Sequence, residues 1–180
     1  MYMYWLINIL VGIVGFIAFV YLVVRIHAVM QGDAKFRFGV KKRTPAVLEN
    51  LERAKAVFYT DIPYKNVGKQ LGTIMDCFPR VQLPCELYDA CRASAWLTNM
   101  NRERNDGYWE AYIVDVGAKG YIRLRLEFTT DRGNIADALE TFPDMPVDII
   151  YQGVSRSDWY LSKVRTVITG KELRRALQEW

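Results

Sequence analysis

Histidine occurs once in the 180 residues, at His27, so any Ser-His-Asp or Cys-His chemistry has a single imidazole to draw on. That imidazole lies two residues after Arg25, the first charged side chain of the chain, where it suits an interfacial group better than a catalytic base. The cysteines, Cys77, Cys85 and Cys91, are the next candidates. Five residues separate Cys85 from Cys91, whereas paired zinc ligands usually stand about two to four apart, and no fourth ligand accompanies Cys77. An odd count at loose spacing does not spell out a disulfide framework and fits thiols kept reduced in a cytosol. An external domain would instead allow Cys77 to pair with Cys85 or Cys91. Gly68-Lys69 lacks the rest of a phosphate-binding loop, because Pro63 stands where the first glycine belongs and Gln70 where Ser or Thr should follow the lysine. Carboxylates occur singly, with Glu110 and Glu127 on expected strands and Asp131 and Asp158 in expected turns, so solvated pairs are the ordinary outcome. No catalytic, cofactor-binding or metal-binding residue is assigned, and the chain is expected to be no enzyme and to need no cofactor.

One constellation of charge remains. Arg123 and Arg125 alternate with apolar residues on one expected strand, and Lys163 and Arg165 do so on another. If the two strands are neighbours, four cations cluster. Directly opposed like charges cost stability, so such a cluster would mark a partner-binding face for something anionic. The plainer outcome is a solvated face whose cations pair with Glu127, Glu110 or Asp148.

The elements that position these groups begin with a membrane segment. Residues 1–24 carry no charged side chain, and a helix of about 20 apolar residues crosses a ~30 Å hydrocarbon core. A signal peptide would want a basic start and a small-residue cleavage site, and neither is present. Asn8 reaches interfacial water or hydrogen-bonds across a helix pair. Arg25, Lys35, Arg37, Lys41, Lys42 and Arg43 follow, against Asp33 alone. The positive-inside rule then puts the N-terminus outside and the C-terminal domain in the cytoplasm.

Of the 24 Lys and Arg and 20 Asp and Glu, six and one lie in this flank, which leaves eighteen and nineteen for residues 44–180. The domain is therefore near neutral, which argues against a nucleic-acid partner. The six flank cations are expected to contact anionic lipid headgroups. The expected organisation is a transmembrane helix over 1–26, a basic juxtamembrane segment over 27–43 and one soluble domain over 44–180.

Within that domain, Thr44-Pro45 reads as a helix start, and Val47, Leu48, Leu51, Ala54, Val57 and Phe58 recur at helical spacing to about residue 59. Val67, Leu71, Ile74, Met75 and Phe78 suggest a second helix over 64–77. Leu83, Leu87, Ala90, Cys91 and Leu97 suggest a third, starting near Pro84. The period then switches to two over 107–116, 121–130, 147–155 and 159–169, with a turn at 117–120, a short helix over 134–141 and a capped last helix over 171–179. The expected class is α+β, with three helices and a four-stranded, mostly antiparallel sheet whose apolar face the helices cover.

One span plus a small α+β domain is also the plan of assembly factors of secretion machines and of subunits of membrane complexes, an analogy of architecture alone. The expected function is a membrane-anchored, non-enzymatic interaction or assembly component of a larger membrane complex. Its partners would be lipids and other membrane proteins, with a second copy of the chain as an alternative. Two other functions fit the pattern. One is a membrane-tethered ligand-sensing domain with Tyr108, Trp109, Tyr112, Tyr151 and Trp159 around a pocket. The other is a secretion or envelope subunit with the domain outside the cytoplasm.

Overall fold

The computed structural model describes residues 2–83, 88–104, 109–156 and 158–180. It begins with one unbroken helix, α1 (Tyr2–Gln31), which extends about 45 Å at ~1.5 Å per residue. None of its residues is buried, and among the described residues only its last turn bonds to the rest of the domain. It is long and apolar enough to cross a membrane.

Among the described residues, nine strands then form two antiparallel sheets. In sheet A, β1 (Phe36–Phe38) and β2 (Val47–Leu51) lie end to end along one edge of β3 (Lys55–Asn66). Then come β7 (Lys119–Thr129) and β5 (Arg92–Asn99). Sheet B runs β6 (Tyr112–Val114), β4 (Gly72–Val81), β8 (Met145–Val154), β9 (Tyr160–Ile168). Two short helices, α2 (Ile135–Glu140) and α3 (Gly170–Gln178), sit at the end away from α1.

The sheets face each other across a single apolar core. Sheet A contributes Phe58, Ile62, Ile122, Leu124, Leu126 and Phe128, all at 0 % exposure, and sheet B contributes Ile74, Val147, Ile149 and Ile168. Each such side chain is stabilised by about 1.5–3 kcal/mol relative to exposure. Phe128 packs edge-on against Phe58 and Phe142, which carries the core toward α2.

Asn66 is a fully buried amide at one end of this core. Its Nδ2 donates to the carbonyls of Gln70 and Val114, and its Oδ1 accepts from the amides of Lys35 and Gly68. One side chain thus ties β1, the β3–β4 loop and β6 together at the end where α1 joins. Gly68 is held there by close approach, since a Cβ would fall 2.2 Å from the Asp33 carbonyl oxygen.

The α+β expectation is overturned: the apolar face of one sheet is covered by a second sheet, not by helices. The segments expected as three helices are β2 and β3, then β4, then β5, with residues 84–87 of the third outside the described residues. In β3 the inward positions are Ala56, Phe58, Thr60, Ile62, Tyr64 and Asn66, a strict alternation in which Thr60 and Asn66 are polar. The Thr60 hydroxyl donates to the Thr44 carbonyl, so neither is left unsatisfied. Pro63 ends no strand either. Its carbonyl accepts from Gly39, on the edge where β1 has already stopped, so no ladder bond misses its N–H. In β4, Asp76 adopts φ 44 inside an irregularity between Met75 and Phe78, which turns Cys77 inward and Phe78 outward. The expected strands over 121–130, 147–155 and 159–169 and the helices over 134–141 and 171–179 coincide with β7, β8, β9, α2 and α3. The α3 cap is also as read: the Thr169 side chain accepts from the Glu172 amide.

The helix also extends beyond residue 26, and the domain begins before residue 44. Phe36–Phe38 is already a strand of sheet A, with Phe36 and Phe38 in the core.

Candidate membrane-facing and partner-facing surfaces

The helix joins the sandwich through a built end. Gly32, at φ 67, closes α1 by donating its amide N–H to the Val29 carbonyl. Lys69 donates to the Met30 carbonyl at 3.4 Å, Gln70 to Gln31 at 3.2 Å and Arg156 to Ala28 at 3.4 Å, and Arg156 also binds the Gln31 side chain. Two of these donors are cations at a helix C-terminus, where the dipole favours them. The β3–β4 loop and the β8–β9 turn therefore form the base of the domain, next to the end of the helix.

The six flank cations separate in this structure. Arg25 is on α1, exposed. Lys35 and Arg37 are exposed at the base, and Lys41 and Lys42 sit in a single 3-10 turn after β1. Arg43 is elsewhere and occupied. Its guanidinium binds both carboxylate oxygens of Glu172 on α3, at 2.5 and 2.6 Å, and also reaches Thr166 and the Val167 carbonyl. Glu172 further accepts from the Ala46 amide at 2.5 Å. Burial alone would raise the Glu172 pKa, but the guanidinium and that amide outweigh it and hold the carboxyl below its ordinary value. Arg43 thus pins the chain between β1 and β2 to α3, at the end far from the helix.

The two cation pairs also part. Arg123 and Arg125 project from β7 on the outer face of sheet A, and Lys163 and Arg165 from β9 on the outer face of sheet B, so the four do not form one cluster. Arg123 forks onto Asp61, its cross-strand neighbour, with both bonds at 2.8 Å, and stacks over Tyr59 at 4.2 Å. Arg125 binds Glu49 at 3.0 Å and Glu103 at 3.4 Å, and Lys55 binds Glu127 at 2.8 Å. On sheet B, Asp148 collects Arg165 at 2.7 Å and Lys163 at 3.4 Å, with Gln82 bridging to both Asp148 and Arg165. These hydrogen bonds, Arg165 first, hold the Asp148 carboxyl below its usual value.

The rest of the outer face of sheet B is mostly apolar, with Thr73, Gln152 and Lys163 among apolar side chains. Register places Ile113, Thr73 and Val154 in one row, Met75, Gln152 and Leu161 in the next, and Phe78, Ile150 and Lys163 in the third. Ile113 is 63 % exposed, Leu161 62 % and Phe78 48 %. Met75 and Phe78 fit helical spacing and the other strands look half polar, so the sequence alone does not mark this surface. The available signal was the outward set of β8 and β9, which alternates Ile150, Gln152, Val154 with Leu161, Lys163.

Among the described residues, the aromatics expected around a ligand pocket do not enclose one. Tyr108 lies outside the described residues. Trp109 is buried and donates its indole N–H to the Ile74 carbonyl, and Tyr151 packs against Phe36, Phe38 and Tyr160. Trp159 points outward, at 64 % exposure. The void beside Trp109 and Tyr112 is about 10 Å³, the size of one water. A larger open cleft, about 840 Å³, lies at the far end between Leu83, Cys91, Arg92, Thr130 and α2. Burial pushes the Cys91 thiol up to about 11, so it is protonated near neutrality and a poor nucleophile. Cys77 is buried and raised further by the same cause. Both are free thiols, and Cys85 lies outside the described residues.

No protein-family model matches the sequence, and no curated protein matches it. Three solved structures share part of its shape. The GAE domain of GGA2p from Saccharomyces cerevisiae is 10 % identical, with a TM-score of 0.33 over 69 % of this chain and 98 % of that one. The yeast GGA1 GAE domain is 11 % identical, at 0.33 over 70 % and 97 %. A conjugative transposon lipoprotein from Bacteroides eggerthii is 12 % identical, at 0.25 over 73 % and 95 %. TM-scores of this size do not establish a common fold.

Proposed function

We propose that the chain is a single-pass membrane protein whose β-sandwich is a non-enzymatic docking module in a larger membrane assembly. α1 is the anchor, and the charge-free stretch before Arg25 followed by Arg25, Lys35, Arg37, Lys41 and Lys42 sets the N-terminus outside and the sandwich in the cytoplasm. The observation that carries this function is the exposed apolar half of sheet B, around Ile113, Leu161 and Phe78, on the part of that sheet next to the helix end. Contiguous exposed apolar surface on an otherwise charged domain marks an interaction site. Its place beside the anchor favours a partner in the same membrane.

The test is a photo-crosslinking residue at Leu161, in native membranes, compared with one at Tyr59 on sheet A. A reporter fused after Trp180 is scored from both sides of the membrane in the same strain. The expected result is a discrete membrane-protein adduct from position 161, none from position 59, and a cytoplasmic reporter. Equal adducts from both positions, or none from 161, would overturn the docking face. An external reporter would overturn the orientation and favour an envelope subunit.

A further inference from the structure

Strand register lines up three cations at the base of sheet A. Arg37 on β1 pairs with Lys65 on β3, and Lys65 pairs with Lys119 on β7. Adjacent strands lie about 4.8 Å apart, so the three charges share a row about 10 Å wide. Among the described residues none of the three has a carboxylate partner, in contrast to Lys55, Arg123 and Arg125 farther along the same face. Directly opposed like charges oppose folding. A row of three, kept without counter-charge at one end of a face that neutralises every cation at the other end, is complementary to an anionic surface.

The surroundings say which surface. Asn66, next to Lys65, fixes β1 and the β3–β4 loop, and that loop caps the end of α1 through Lys69 and Gln70. The row is therefore tethered to the membrane anchor by a few residues of rigid structure. Exposed apolar side chains share this base: Val67, Leu71 and Val116, with Trp159 at 64 % exposure and Tyr121 at 54 %, one pleat above Lys119. Cations mixed with Trp, Tyr and aliphatic side chains suit the headgroup layer.

We propose that the base of the sandwich docks on the anionic headgroups of the leaflet from which α1 emerges, with the Arg37–Lys65–Lys119 row as the element that recognises them. The proposal needs α1 to be the anchor but not the partner face on sheet B. It adds Lys65 and Lys119 to the lipid contacts and takes Arg43 away from them. Docking through sheet A rolls the domain so that sheet B's outer face stays off the membrane.

The test is amide hydrogen exchange on the full chain in nanodiscs of phosphatidylcholine alone and with phosphatidylglycerol added. Segments 66–71 and 115–121 are expected to exchange at least fivefold more slowly in the anionic discs. The protection should vanish at 1 M salt, where the screening length is about 3 Å, and in the Arg37→Gln/Lys65→Gln/Lys119→Gln variant. Arg92→Gln at the far end should keep it. Salt reversal on the unmodified chain serves as the second measurement should the triple variant fold poorly. Equal exchange in both lipids, or protection that survives salt, overturns the proposal. So does equal protection by soluble polyphosphate in neutral discs, which would assign the row to a free anion. Fast exchange of residues 5–22 in either disc would mean that the anchor itself fails, a separate result.

Discussion

On sheet A, Lys55, Arg123 and Arg125 each face a carboxylate of their own sheet, while on sheet B a single carboxylate, Asp148, gathers Lys163 and Arg165 at one end and leaves Ile113, Phe78 and Leu161 facing water. Both faces come from the same two-residue alternation. What separates them is where the acids fall in cross-strand register. Asp61 opposite Arg123 closes a surface, because a partner would have to break a fork of two short bonds to use it. Ile150 between Phe78 and Lys163 satisfies nothing and leaves the surface open. The base breaks the pattern of sheet A, since its row Arg37–Lys65–Lys119 has register but no acids.

The largest effect that tests this contrast is loss of assembly. Phe78→Asp with Leu161→Asp should cut the yield of co-purified membrane partner at least tenfold, with a melting temperature changed little, because both side chains are already about half or more exposed. Asp61→Asn with Arg123→Gln should leave that yield intact and cost about 1 kcal/mol or less of stability. If the sheet A pair loses the partner and the sheet B pair keeps it, the contrast is reversed.

The next effect is structural. Arg43→Ala strands the Glu172 carboxylate between Ala46 and α3, and should cost about 3 kcal/mol of unfolding free energy in urea titration without altering lipid protection at the base. A loss of base protection with intact folding would return Arg43 to the membrane-contact set.

The smallest effect is in pH. The Asp148 and Glu172 carboxyls both lie below their ordinary values in the folded domain. The unfolded state therefore takes up protons first, at about pH 4, and their stabilisation is complete above that range and lost as pH falls through the lower folded values. Glu172→Gln should flatten the loss of stability between about pH 5 and 3. An unchanged slope would mean that the pair adds no net stability.

The long apolar helix, the last three strands and the two short helices are legible because their signals are local: a charge-free run, a period of two, a Thr cap three residues before Glu172. The first half of the sandwich was not, for reasons visible in particular residues. Ala56, Phe58, Ile62 and Tyr64 do alternate, but Thr60 and Asn66 interrupt the apolar row with polar groups whose distant partners are Thr44 and Val114. The turn of β4 at Asp76 shifts the phase of Met75 and Phe78. Pro63 imitates a break. The candidate surfaces depend still more on pairing. Arg37, Lys65 and Lys119 are far apart in sequence and meet only because β3 lies between β1 and β7.

The bonds that Lys69, Gln70 and Arg156 make to the last carbonyls of α1 would give the proposed anchor a mechanical role. The uncharged part of the helix, about 35 Å at 1.5 Å per residue, exceeds a ~30 Å core, so as the proposed anchor it would meet bilayers of different thickness by tilting. A helix joined to its domain by a loose linker would spend that tilt in the linker. Here three side chains bond to the joint, so the sandwich would turn with a tilting helix, and a thinner bilayer would lower one edge of its base while raising the other.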